Sequence, residues 1–212
     1  MILELKKNVE EQWSALDAGV RNEVREAETN DLQVVMGRAE LLDGFYEVFC
    51  RNMRDLGMPV YGRNFFRNVL EEFPDTTKII SVTRDGRTIA ASLLTWYKDT
   101  LEVPWTCSNR DFDRMCPPSL LIWESIRYAI GLGVHWFDFG RLTPDKETDK
   151  FGIRWGAKPV QLSWQYLLRE GDAVPDDTQA RFKYGRLATQ TWQRLPLMLT
   201  NLLGPYIVRC IP

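Results

Sequence analysis

Residues 78–98 read KIISVTRDGRTIAASLLTWYK. Two runs rich in β-branched and aromatic side chains flank Asp85-Gly86. Asp-Gly between such runs is a strong hairpin signal, because both central residues of the tight turn must take positive φ. Asp99-Thr100 makes the next turn, into a strand from residue 101 to about 106. Three consecutive antiparallel strands are therefore predicted. Pro104 lacks an amide donor and marks an edge, a bulge or an interrupted ladder in the third.

Downstream, Pro117-Pro118-Ser119 opens a helix that runs from residue 120 to about 132, with Ser119 as N-cap or, because Pro suits the first helical turn, an earlier start. The helix is apolar nearly all round and so should be buried. Glu124 and Arg127 are its exceptions. They can pair at i,i+3, or Glu124 can be a carboxylate held near a reacting centre. Residues 135–139 (HWFDF) read as a short buried strand that stops at Gly140, with His135 in the core. A dense polar stretch follows: Arg141, Thr143, Asp145, Lys146, Glu147, Thr148, Asp149 and Lys150. Bulk returns in a short helix at Phe151, Ile153 and Trp155, and a further strand is expected over residues 160–166. A strand end that delivers Asp138 and Arg141 to a polar loop is the usual geometry of a ligand site on such a sheet. The competing reading is a surface loop in which Arg141 pairs with a neighbouring carboxylate.

Upstream, Leu5, Val9, Trp13, Leu16, Val20 and Val24 recur at helical steps, which predicts one amphipathic helix over residues 4–28 that needs a partner surface. A strand over 31–37 and helices over 39–56 and 63–73 follow, the first stopped by Gly57 and Pro59 and the second by Pro74. The last part of the chain holds a helix from about 178 to 194, then an apolar stretch broken by Pro196, Gly204 and Pro205. That stretch is too short and interrupted to span a bilayer, and it either docks on protein or lies on a membrane face. The order of elements is α+β, with one mixed sheet flanked by helices. Three segments are expected: an N-terminal helix (1–30), the main domain (31–170) and a helical, apolar tail (171–212).

The 212 residues carry a formal net charge of −2, which speaks against general nucleic-acid binding. Four cysteines with no CxxC pair, beside a single histidine, speak against a zinc site and suit free thiols in a reducing cytoplasm. The N-terminus has no signal-peptide core. Neither a G-x-S-x-G elbow, a P-loop nor a G-x-G-x-x-G fingerprint is present.

FDFGR, Thr143-Pro144-Asp145, Thr148, Lys150-Phe151, Trp155-Gly156-Ala157 and Pro159 together resemble the C-terminal signature of FemAB-like proteins, GNAT-fold acyl or aminoacyl transferases. The likeness extends upstream through residues 44–66 and is nearest to members associated with bacterial exopolysaccharide and PEP-CTERM systems. It implies a GNAT-like mixed sheet and direct transfer of an acyl or aminoacyl group to an amine of a small-molecule or envelope-precursor acceptor. It also implies no tightly bound cofactor and no metal, with aminoacyl-tRNA or acyl-CoA as donor. The site expected from it combines Asp138, Glu124 and Arg141 as catalytic groups with Thr143, Thr148, Lys150, Phe151, Trp155 and Tyr97 around the substrate. Two positions depart from the family pattern: Gly152 stands where a lysine is common, and Leu142 where a serine is. Lys150 or Arg154 would then have to replace the lysine, or the chain is a non-catalytic binding module. A GNAT-like unit normally precedes the helix, so that unit or a second copy of this chain is the expected partner of the N-terminal stripe. A cytoplasmic location follows, with the tail as the one candidate for peripheral contact with the inner membrane. The loop over 106–119, where conventional GNAT enzymes cradle a pyrophosphate on glycine-rich backbone, has no glycine and two prolines, so acetyl-CoA is expected to bind weakly.

Overall fold

A computed structural model describes residues 1–140, 147–163, 165–168 and 177–209, the side chains of 147–150, 177–184 and 186 excepted. At the hairpin, Asp85 and Gly86 both take positive φ, 50° and 74°. β3 (Thr77–Arg84) and β4 (Arg87–Tyr97) pair across it. β5 (Thr100–Ser108) returns antiparallel to β4 after a turn in which Lys98 is left-handed. β2 (Gln33–Gly37) adds antiparallel to the far side of β3. On the other side β6 (Trp136–Asp138) lies parallel to β5, reached through helix α5 (Pro117–Leu132).

β1 (Ile2–Glu4) completes a six-stranded sheet in the order β1-β6-β5-β4-β3-β2 by pairing antiparallel with β6. The single N-terminal helix expected over 4–28 is therefore a strand and two helices, α1 (Val9–Ala15) and α2 (Ala18–Thr29). The apolar period runs unbroken through the join. The division lies in the polar caps: Asn8 accepts from the Glu11 amide and Asp17 from the Gly19 amide.

Strand alternation divides the sheet into two cores. On one face Ile80, Ala90, Leu94, Leu101, Val103 and Phe137 pack under α5 and α2. On the other Ile79, Ala91, Leu93 and Cys107 pack under α3 (Leu42–Leu56) and α4 (Arg63–Glu72). α5 is buried as its composition requires, and its cap is Cys116 with Pro117 and Pro118 at the first turn, not Ser119.

After α6 (Glu147–Arg154), Ile2 and Lys158 form one bridge, but among the described residues no strand follows over 160–166. The described residues there are exposed and find no ladder partner, so alternation alone did not make a strand. His135 is exposed, not core: its strand begins one residue later and its own amide reaches the Asp99 carbonyl at 2.8 Å. The tail forms α7 (Asp177–Arg194) and α8 (Leu197–Val208), and both lie against α3. α8 seats closely: a Cβ on Gly204 would come within 2.8 Å of the Val60 amide nitrogen.

Candidate functional site

β6 pairs with β5 only over Thr100–Glu102. Beyond that row β5 runs on to Ser108 with no β6 partner, and β6 ends at Asp138. The parting coincides with an irregularity in β5. Leu93 pairs with Trp105 but Thr95 with Glu102, so Val103 and Pro104 together oppose Leu94. A bulge of this kind bends and twists its strand, and Pro104 has no amide to offer a neighbour. Gly140 fits against the bulge, 3.6 Å from the Val103 carbonyl to its would-be Cβ, with a φ of 81° that favours glycine. The glycine after the strand is thus where the chain turns away from β5.

Glu102 and Asp138 are opposite each other in the last paired row. Leu101 and Phe137 beside them point into the α5 core, so both carboxylates project on the α3–α4 face. Burial raises the Glu102 pKa above its ordinary value, the Asp138 charge raises it further, and the Met1 ammonium opposes both. Asp138 Oδ1 accepts from the Gly140 amide at 2.9 Å and lies 3.6 Å from the Met1 amino nitrogen. Across the bulge Trp105 returns to the same face, edge-on to Tyr61, Phe65 and Phe66 at centroid distances of 6.4, 5.5 and 5.4 Å. A carboxylate with raised proton affinity, a charged carboxylate and an aromatic wall therefore flank the start of the opening.

Of the residues singled out in the sequence, Asp138 is at this opening. Glu124 is not beside it: α5 lies over the opposite face, where the Glu124 carboxylate takes a 2.7 Å bond from Arg127. Phe151 is half-buried, its ring 6.4 Å from Phe139 and 6.0 Å from Trp155, while Trp155 is in the core at 2 % exposure. Tyr97 is exposed at the β4–β5 turn, with Lys98 Nζ 5.2 Å from its ring. Arg141 and Thr143 lie outside the described residues, as do the side chains of Thr148 and Lys150, whose backbone belongs to α6. Glu102 was missed. The one charged residue of this strand, two places before a proline, was the available signal.

The N-terminus of α5 is already engaged. Pro117 and Pro118 carry no amide hydrogen, and the Ser119 and Leu120 amides both point to the Cys116 carbonyl. The Glu23 carboxylate of α2 sits at this end, taking 2.7 Å from the Ser119 hydroxyl and 2.6 Å from Arg154. Arg154, one of the two residues expected to stand in for the lysine, is thus an ion-pair partner of Glu23. At Gly152 a Cβ would meet the Met1 side chain at 3.1 Å. A separate cleft of about 690 Å³ lies between α3 and the β3–β4 turn, where Arg51 pairs with Asp111 at 3.2 Å.

A mixed sheet that opens between two parallel neighbours, with helices on both faces, is the architecture of GNAT-class acyltransferases. Residues 15–150 match the acetyltransferase (GNAT) domain family, and the chain belongs to it. No curated protein sequence matches this one significantly. Among solved structures it is similar to FemX, with a TM-score of 0.65 at 15 % identity over 74 % of this chain and 57 % of FemX. The chain therefore spans little more than half the length of that protein. It is also similar to the aminoglycoside acetyltransferase meta-AAC0020 from an uncultured soil metagenomic sample, with a TM-score of 0.53 at 10 % identity over 66 % of this chain and 99 % of the other. A third likeness is to AAC(6')-Iy in complex with a bisubstrate analog, with a TM-score of 0.51 at 13 % identity over 66 % and 99 %. At these identities the likeness is one of fold.

Proposed function

We propose that the chain transfers an acyl or aminoacyl group to an amine of a cell-envelope or exopolysaccharide precursor, in a PEP-CTERM-type system, at the cytoplasmic side of the inner membrane. The observation that carries the reaction is the Glu102–Asp138 pair at the opening between β5 and β6. An acceptor amine is protonated near neutral pH and cannot attack until it loses that proton. Glu102, whose proton affinity is raised by burial, is suited to accept it. Asp138 holds the ammonium near the gap by charge. The freed nitrogen then bonds to the acyl carbon. The bond from that carbon to the donor's sulfur or ribose oxygen breaks, and the leaving atom takes the electron pair and a proton. In this reading, backbone amides of β5 beyond Glu102, on the side where β6 no longer pairs with it, steady the oxyanion that forms between these steps. Arg141, Thr143, Thr148 and Lys150 are assigned to the anionic part of donor or acceptor, with Phe151 and Tyr97 as further contacts.

Of the two donor classes, aminoacyl-tRNA is favoured over acyl-CoA, because Glu23 and two prolines occupy the helix start where a pyrophosphate would need free amides. The same plug favours the second reading, a non-catalytic binding module or one half of a two-unit transferase. The test is Arg141→Ala, since a guanidinium holds carboxylate or phosphate by two parallel bonds. In a thermal-shift screen of acyl-CoAs, aminoacyl-tRNAs and nucleotide sugars, the parent should respond to at least one ligand class. The variant should lose that response with its own melting temperature unchanged. A variant that unfolds makes Arg141 structural, and a parent that neither shifts nor turns over any donor favours the binding module.

A further inference from the structure

α8 is built inside out for a helix on a water-facing surface. Its inner side carries Thr200 and Gly204, both buried against the body of the protein. Its exposed side chains are Met198, Leu199, Leu202, Leu203, Tyr206 and Ile207, all large and apolar and between 40 % and 81 % exposed. At 100° per residue these six cover one contiguous half of the helix. Such a surface is one that a partner phase covers.

The charge around it selects the partner. From Thr178 to Arg209 the sequence contains Arg181, Lys183, Arg186, Arg194 and Arg209 and no aspartate or glutamate, in a chain whose net charge is −2. Arg194 and Arg209, one at each end of α8, are exposed, and the Arg209 guanidinium lies 5.6 Å from the Tyr206 ring. An apolar half-cylinder bounded by cations matches a surface with acyl chains beneath anionic headgroups. With 12 residues α8 is about 18 Å long, well short of a bilayer core of about 30 Å. It can lie in the interface but not cross it, and among the described residues no helix is long and apolar enough to cross.

We propose that the exposed face of α8 docks the protein on an anionic lipid bilayer, with Met198, Leu202 and Tyr206 entering the acyl region and Arg194 and Arg209 meeting the headgroups. The proposal gives a structural basis to the membrane location above and stands independently of the transfer reaction, since its test reads binding alone. The full chain is sedimented with vesicles of phosphatidylcholine alone and of phosphatidylcholine with about one-third phosphatidylglycerol. It should bind the anionic vesicles, weaken as salt rises, and bind the neutral ones at least about tenfold less, since each interfacial cation contributes. Leu202→Glu should lower anionic-vesicle binding about tenfold or more with an unchanged melting temperature, because the residue is 60 % exposed. Arg194→Glu should lower it by a smaller factor, and its remaining binding should respond less to salt. Absence of binding to anionic vesicles, or binding that Leu202→Glu leaves intact, overturns the proposal. So does a concentration-dependent dimer that Leu202→Glu dissociates, because the face is then an interface between copies.

Discussion

At the scale of single residues, Glu102 carries the proposed chemistry, and its electrostatics make a prediction independent of any substrate. Its pKa is raised above the ordinary 4.5 in the fold, first by burial and then by Asp138. The folded state therefore keeps the proton at pH values where the unfolded chain has lost it. As pH climbs from about 4.5 through the raised value, ionisation costs the folded state stability that it has in full at lower pH. Gln mimics the protonated form. Glu102→Gln should thus melt with the parent at pH 4 and above it at pH 8, while transfer falls by about 10²- to 10⁴-fold. Parent activity should rise with pH on a limb set by the same group. A variant that is less stable at pH 8, or that transfers normally, removes Glu102 from the mechanism. Asp138 was legible in the sequence because a strand end followed by Gly-Arg is a local pattern. Glu102 was not, because its place beside Asp138 depends on β5 leaving β6 at a bulge, and only the long-range register Glu102↔Asp138 shows that juxtaposition.

At the scale of elements, the start of α5 is what the proposed donor preference rests on. Helix N-termini hold phosphate through free amides and the helix dipole. Here two amides are missing, the next two point to Cys116, and Glu23 adds a negative charge beside Ser119. Calorimetry at physiological salt should therefore find weak acetyl-CoA binding at most. Any contact made by the exposed Arg110 and Arg114 alone should fade as ionic strength rises. Micromolar, salt-insensitive binding would place the chain among conventional CoA-dependent enzymes. The loop's lack of glycine was readable in advance; Glu23 was not, being 96 residues away from Ser119 in sequence. The same contrast runs through the other elements. The β3–β4 hairpin and the buried α5 follow from local turn chemistry and composition. β1 is three residues long, too short to show a period of its own. The strand expected over 160–166 had the alternation, but the pairing with the β1 edge stops at the single Ile2–Lys158 bridge among the described residues.

At the scale of the molecule, the two ends of the GNAT-like body meet. β1 pairs with β6, Ile2 bridges Lys158, and the Phe139 amide reaches the Met1 carbonyl at 2.9 Å. The N-terminal residues thus hold in place the strand that carries Asp138, while the α3 side carries the tail. Leu3 is the residue through which this acts. It is 6 % exposed, lies opposite Phe137 in the ladder, and its Cδ1 is 3.7 Å from where a Cβ on Gly156 would stand. Leu3→Ala removes a buried side chain from a site bounded by a strand and a turn, neither of which can collapse far, so it should cost about 2–5 kcal/mol. Urea unfolding followed by tryptophan fluorescence is the measurement, since Trp13, Trp123 and Trp155 all belong to or pack on this core. One transition is expected, at a lower midpoint and with unchanged slope, because β1 and β6 are continuous with the rest of the sheet. An unchanged midpoint would make β1 an ornament on the β6 edge. Two transitions would mean that β1 and β6 unfold apart from β2–β5, and the carboxylate pair would then straddle two cooperative units, not one rigid sheet.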